Sequence, residues 1–132
     1  SFISAFFVSL LKQFYDEPRP SRYFAGQDVN WVDGIDLYAN HSFPSGHAAA
    51  AFTMFLLMSF FFNNKSLTAV FFVLALLVAI SRVYLFQHFL IDVWVGSFCG
   101  VVFGTILYHL IMITPLFKNK TWHNWSLLKS PN

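Results

Sequence analysis

Apolar residues fall in long blocks separated by polar breaks, and the blocks set the elements. The first, Phe2 to Leu11, ends at Lys12 and is too short to cross a bilayer, which takes about 20 residues. Residues 1–12 therefore read as the end of a transmembrane helix, with the natural protein expected to begin earlier. A signal peptide fits less well, because no basic stretch precedes the block and no small-residue cleavage site follows it. Residues 13–45 are polar, hold Pro18, Pro20, Gly26, Gly34 and Pro44 with five of the six acidic residues, and predict a loop. An uninterrupted loop of that length commonly serves a site, so a short helix or a covering role is expected within it. Residues 46–62 then read as an apolar helix closed by Asn63-Asn64-Lys65-Ser66, residues 67–83 as a second helix, and residues 88–114 as a third, stopped by Pro115. Residues 115–132 form a polar tail.

Between the second and third helices, Arg82 to His88, there is neither Gly nor Pro. One continuous helix over 67–114 would still run to roughly 70 Å against a hydrocarbon core of about 30 Å, so the chain must turn. The polar set Ser81, Arg82, Gln87 and His88 is where turning costs least. This topology puts Lys65, Lys118, Lys120 and Lys129 on one side with no acidic residue among them, and the positive-inside rule makes that side cytoplasmic. The 13–45 loop and the Arg82–His88 turn then share the outer, periplasmic or extracellular, face of a multi-pass protein in the cell membrane. Tyr15, Tyr23, Trp31 and Tyr38 on one side, and Trp122 and Trp125 on the other, suit headgroup depth.

Composition agrees with the blocks: 57% of residues are apolar, 20% aromatic and only 11% charged. A soluble chain averages about 25% charged, so the bilayer is the expected partner. The net charge of +2, with no basic run interleaved with aromatics, argues against a nucleic-acid partner. Cys99 is the only cysteine, so there is no internal disulfide and no zinc-type cysteine cluster. Asp28, Asp33 and Asp36 are spaced like a solvated face rather than a metal site.

Three polar clusters meet at the outer face: Lys12 with Arg19-Pro20, then Pro44-Ser45-Gly46-His47, then Ser81-Arg82 with His88 and Asp92. Ionisable groups in spanning segments cost about 2.5 to 3.5 kcal/mol at a helix centre, so several at one level indicate a shared site. Lys12, Arg19 and Arg82 are cations without an obvious carboxylate each, which suits phosphate oxygens. Ser45 can cap the helix that begins at Gly46, leaving backbone N–H groups at the positive end of the helix dipole, and Gly46 lets an anion approach the backbone. His88 and Asp92, four apart, share a face if helical; the carboxylate can then accept Nδ1–H and leave Nε2 free to attack. His47 is placed to protonate a leaving alkoxide. Gly96, Gly100 and Gly104 form a small-residue stripe that lets another helix approach closely.

The arrangement Lys12-x6-Arg19-Pro20, Pro44-Ser45-Gly46-His47, Ser81-Arg82-x5-His88-x3-Asp92 resembles the three-part signature of the type 2 phosphatidic acid phosphatase superfamily, matched at every signature position over residues 12–92. The resemblance implies an all-α integral membrane helix bundle, with this chain as the C-terminal half of a six-helix phosphatase fold. It implies His88 as nucleophile, Asp92 as its support and His47 as general acid, with Lys12, Arg19, Ser45, Gly46 and Arg82 holding phosphate. It further implies hydrolysis without a metal ion or other cofactor, through a phosphohistidine, on a lipid phosphate or prenyl diphosphate. Vanadium haloperoxidases share that site in soluble proteins, but the hydropathy here is against that branch.

Each feature alone has a plainer reading. Lys12 is then a snorkelling lysine, Arg19 and Arg82 headgroup anchors, His47 an interfacial histidine, and His88 with Asp92 a structural pair. A non-catalytic lipid-phosphate binder or transporter would keep the same anion site. Phosphatidic acid, phosphatidylglycerol phosphate, prenyl diphosphates and lipid A phosphates present the same reacting group, and the 21–43 loop with the N-terminal helices is expected to choose among them.

Overall fold

The computed structural model describes residues 8–10, 12, 15, 17–28 and 38–113. The expectations for the start of the first helix, for Trp31, Asp33 and Asp36, and for the lysines and tryptophans of the tail lie outside the described residues. Among the described residues every regular element is a helix: α1 (Pro20–Tyr23), α2 (Gly46–Phe62), α3 (Lys65–Tyr84) and α4 (Leu90–Ile113). Val8 to Leu10 and Lys12 are helical as well. The short turn α1 opens on Pro20, whose fixed φ and missing N–H suit a first helical position.

Two adjacent asparagines make the tight turn between α2 and α3. Asn63 ends α2 in the left-handed conformation (φ 45°) and donates its N–H to Ser59 O, a conformation Asn tolerates better than most residues. Asn64 then caps α3, its side chain accepting from the Ser66 and Leu67 N–H groups at 2.9 and 3.1 Å. That cap draws Lys65 and Ser66 into the first turn, so the helix starts at residue 65 rather than 67.

At the other end, α3 stops at Tyr84 and the chain turns over Leu85–Phe89 without Gly or Pro. Phe86 takes up the reversal at φ 53°, an uncommon conformation for an aromatic residue. The Arg82 carbonyl accepts from both Gln87 N (3.1 Å) and His88 N (3.3 Å), folding the turn back on the last turn of α3. Helix α4 begins at Leu90, not at residue 88, because the Asp92 carboxylate reaches back to the Phe89 N–H at 2.9 Å. An acidic side chain at the third helical position bonding the cap's N–H is half of a capping box. His88 is therefore a turn residue, not a helical one.

Helix α2 is central and packs on both neighbours, while α3 and α4 touch each other least. The core is small and lies against α2: Ala48, Phe52, Ala75, Ala79 and Val93. Outward-facing positions are apolar too, including Val73 and Leu77 on α3 and Ile106 on α4. Helices α3 and α4 are each long and apolar enough to cross a membrane, and α2, at 17 residues, is a shorter apolar helix.

Candidate functional site

Asp92 is the hub. It is buried, and its Oδ2 accepts the Phe89 N–H and the hydroxyl of Ser42, a side chain fully buried in the loop before α2. Its backbone carbonyl accepts from Ser45 N at 2.9 Å, so the cap of α2 is tied directly to the first turn of α4. Glycine makes that contact possible: a Cβ at Gly96 would collide with the Ser45 carbonyl oxygen.

His88 is 2% exposed, and its Nδ1 lies 3.6 Å from Asp92 Oδ2. That is an ion-pair separation, too long for the hydrogen bond expected from an i, i+4 helical pair. The turn geometry of residue 88 is the reason. Among the described residues Nδ1 has no hydrogen-bond partner. Burial foremost, with the nearby charges of Arg19 and Lys12, holds the His88 pKa below the ordinary histidine value against the opposing pull of Asp92. The shift favours the neutral ring, which is the state a nitrogen nucleophile requires.

Among the described residues, neutral oxygens rather than carboxylates aim the cations. Lys12 Nζ donates to His41 O at 3.0 Å, and Arg19 Nε donates to Asn40 O at 2.9 Å. Arg19 Nη1 also reaches Gln87 O at 3.2 Å in the turn that carries His88. Arg82 Nη1 donates to the Gln87 side-chain oxygen at 3.2 Å, so one glutamine engages both guanidinium groups. Residues 17–19 run beside 39–42, with Arg19 N bonded to Ala39 O and Ser42 N to Glu17 O, each at 3.0 Å. The Arg19 guanidinium sits 5.3 Å from the Tyr38 ring centre, a cation–π distance. Burial lowers the Arg19 pKa while Asp92 and Tyr38 oppose it, and a guanidinium stays charged through such a shift. An aromatic cluster of Tyr23, Phe24 and Phe89 joins α1 to the His88 turn.

His47 stands one residue into α2, above the Ser45 cap, whose hydroxyl accepts the Ala48 N–H. The first-turn N–H groups of Gly46 and His47 have no carbonyl partner inside the helix and face the same end of the bundle. The His47 ring lies within electrostatic reach of Arg82, His88, Lys12 and Arg19. All eight residues singled out in the sequence, Lys12, Arg19, Ser45, Gly46, His47, Arg82, His88 and Asp92, thus belong to one end of the bundle. Such a set can bind a tetrahedral anion between cations and a helix terminus, with one neutral imidazole and a second imidazole beside it.

Sequence reasoning missed the groups that hold these residues. Ser42 and the carbonyls of Asn40 and His41 sit in loop positions with no periodicity to mark them, and Gln87 stood out only as a place to turn. The one available signal was a serine two residues ahead of Pro44-Ser45-Gly46-His47.

Known proteins resemble this chain in the same region. A sequence model of the PAP2 superfamily matches residues 1–114. A lipid A 4'-phosphatase of Porphyromonas gingivalis is 28% identical over 106 residues, which is 79% of this chain and 44% of that protein. The chain thus spans less than half the length of that curated relative. Among solved structures, LpxE from Aquifex aeolicus superposes with a TM-score of 0.72 at 33% identity, covering 82% of this chain and 62% of that one.

Proposed function

Because the chain belongs to the PAP2 superfamily, we propose that the protein containing it is a membrane phosphatase that removes phosphate from a lipid. The all-helical fold shared with LpxE supports this, as do two helices long and apolar enough to span a bilayer. The observation that carries the reading is the buried His88 beside Asp92, at the one end of the bundle where Lys12, Arg19, Arg82 and the α2 N-terminus also gather.

In this reading Nε2 of His88 attacks phosphorus in line with the ester oxygen. The P–O bond breaks as the P–N bond forms, and His47 gives the leaving alkoxide its proton. Water then attacks the phosphohistidine, His47 takes the water's proton, the P–N bond breaks, and inorganic phosphate leaves with His88 restored. Charge on the equatorial oxygens is met by Lys12, Arg19, Arg82 and the N–H groups of Gly46 and His47, which are already oriented before substrate arrives. As the imidazolium forms, attraction to Asp92 shortens the 3.6 Å gap. An apolar cleft of about 470 Å³ between α3 and α4, with Val83 and Leu90 on its lining, begins beside the His88 turn and offers surface for a hydrocarbon tail. The site opens toward the outer leaflet, opposite Lys65.

Lipid A phosphate is the first substrate to test, since the similar Porphyromonas gingivalis protein is a lipid A 4'-phosphatase. The experiment is multiple-turnover phosphate release by the full-length protein in detergent, over lipid A, phosphatidic acid and prenyl diphosphate, in metal-free buffer with and without vanadate. Release that vanadate inhibits competitively and His88→Ala abolishes is expected. Release persisting in His88→Ala would end the nucleophile assignment, and binding without release would make the protein a lipid-phosphate carrier.

A further inference from the structure

Ser42 lies outside the three clusters that the sequence brings forward, yet its side chain has no accessible surface and its hydroxyl donates to Asp92 Oδ2. That oxygen also accepts the Phe89 N–H and is the carboxylate oxygen recorded against His88 Nδ1. The loop holds the hydroxyl in place: Ser42 N is bonded to Glu17 O, and the neighbouring Asn40 and His41 carbonyls carry Arg19 and Lys12. One short segment thus fixes the cations that meet a phosphate and the carboxylate that supports the nucleophile.

We propose that Ser42 is a positioning residue for the reaction, its buried hydroxyl and the Phe89 N–H together locking the Asp92 carboxylate with Oδ2 toward His88. The proposal rests on the phosphatase reading above. A carboxylate oxygen has two lone pairs, and here both have donors, so the carboxylate is held by groups that do not react. His88 Nδ1, buried and without a hydrogen-bond partner among the described residues, faces the charge of that carboxylate at 3.6 Å rather than bonding it. The hydroxyl does two things. It prevents rotation of the carboxylate away from the imidazole, and by sharing the negative charge it keeps Asp92 from stabilising the protonated ring before attack. Around His88 stand Lys12, Arg19 and Asp92, with His47 of α2, itself beside Arg82 of α3, as the remaining titratable neighbour. Removing the Ser42 donor leaves the cations in place and concentrates charge on Asp92, so His88 should bind its proton more readily.

The test compares wild type, Ser42→Ala, Ser42→Cys and Asp92→Asn in the full-length protein. It reads kcat, KM, the pH profile and the His88 titration by NMR of the imidazole in detergent. In Ser42→Ala, kcat should fall by about 10- to 100-fold, the scale of a sub-ångström to 1 Å misplacement, with KM changed less than about threefold. The acid limb of the profile and the His88 titration should both move to higher pH. Ser42→Cys, nearly the same shape but a poor donor, should fall between. Wild-type kcat and pH profile in Ser42→Ala, with Asp92→Asn inactive, would overturn the role of Ser42 alone. Loss of kcat in Ser42→Ala with an unmoved His88 titration would reduce Ser42 to packing and overturn it as well. Full turnover in Asp92→Asn would overturn the proposal together with the support role of Asp92, whereas no phosphate release by the wild type would bring down the phosphatase reading itself.

Discussion

Along the α2–α4 seam the two backbones meet, because Gly96, Gly100 and Gly104 present no side chain to Ser45, Ala49, Thr53 and Leu56. Between α3 and α4, where the facing residues are Leu76, Ile80, Trp94 and Phe98, a cleft of about 470 Å³ remains. Both surfaces are apolar, and hydrophobicity alone does not distinguish them. Side-chain size does: small residues let dispersion contacts and a shared hydroxyl, Thr53 Oγ1 at 2.8 Å from Ala49 O and 3.0 Å from Gly100 O, join two helices rigidly. The rigid seam carries the site, since Ser45 and Asp92 are joined across it. The open face is where a tail or the rest of the bundle can lie without disturbing the chemistry.

The strongest way to break this contrast is Gly96→Val. Its side chain would enter the Ser45 carbonyl, so backbone must move at the point joining α2 to α4. Overpacking of this kind costs about 1–3 kcal/mol or more, and a shift of about 1 Å at the site costs roughly 100-fold in rate. Both should appear, as a lowered Tm in detergent and near-complete loss of phosphate release. Gly100→Val, whose Cβ would sit 2.5 Å from Ala49 O one turn further from the site, should lower Tm comparably and activity less.

Gln87→Ala should act on binding more than on the fold. It removes the side-chain acceptor of Arg82 but leaves the main-chain acceptor of Arg19. A hydrogen bond to a charged group is worth about 1.5–3 kcal/mol, so KM should rise by about tenfold or more while Tm changes little. Substrate titrations at fixed enzyme check it.

The pH profile sharpens the same picture. In the proposed reaction His88 must be neutral to attack, and its folded pKa lies below the ordinary value because of burial first. The acid limb of kcat/KM should therefore fall below about pH 6.5, the value for a free histidine. In the same range the unfolded chain takes the proton more readily than the fold does, so stability should decline as pH drops through and below that value. An acid limb above it would contradict the burial of this ring. The smallest effect is expected on the outer face: Leu77→Ala, at a position 57% exposed and off the cleft, should change stability by no more than about 0.5 kcal/mol and leave turnover unaltered.

Helices, breaks and the set of chemical residues were legible along the chain because each rests on local rules. Long apolar runs need backbone bonds made within the segment, Asn63-Asn64 stops one helix and starts the next, and Ser45 caps whatever follows Pro44. The helix start at Leu90 was not legible from periodicity, since Phe89, Leu90 and Ile91 continue an apolar pattern. Asp92 decided it by bonding the Phe89 N–H, and that moved His88 off the helix. Ser42, Asn40 and Gln87 were invisible as site residues for a related reason: each acts through a contact with a residue far along the chain.

By itself the sequence determined a helical membrane chain of the PAP2 type and singled out the eight polar residues that meet at one end of the bundle, because residue type and spacing carry that information. Only the tertiary structure decided which carbonyl aims each cation, how far His88 stands from Asp92, and that a loop serine shares the carboxylate. Those depend on the approach of α2 to α4 and on the path of the 38–42 segment. Both are set by long-range contacts that no stretch of sequence encodes alone.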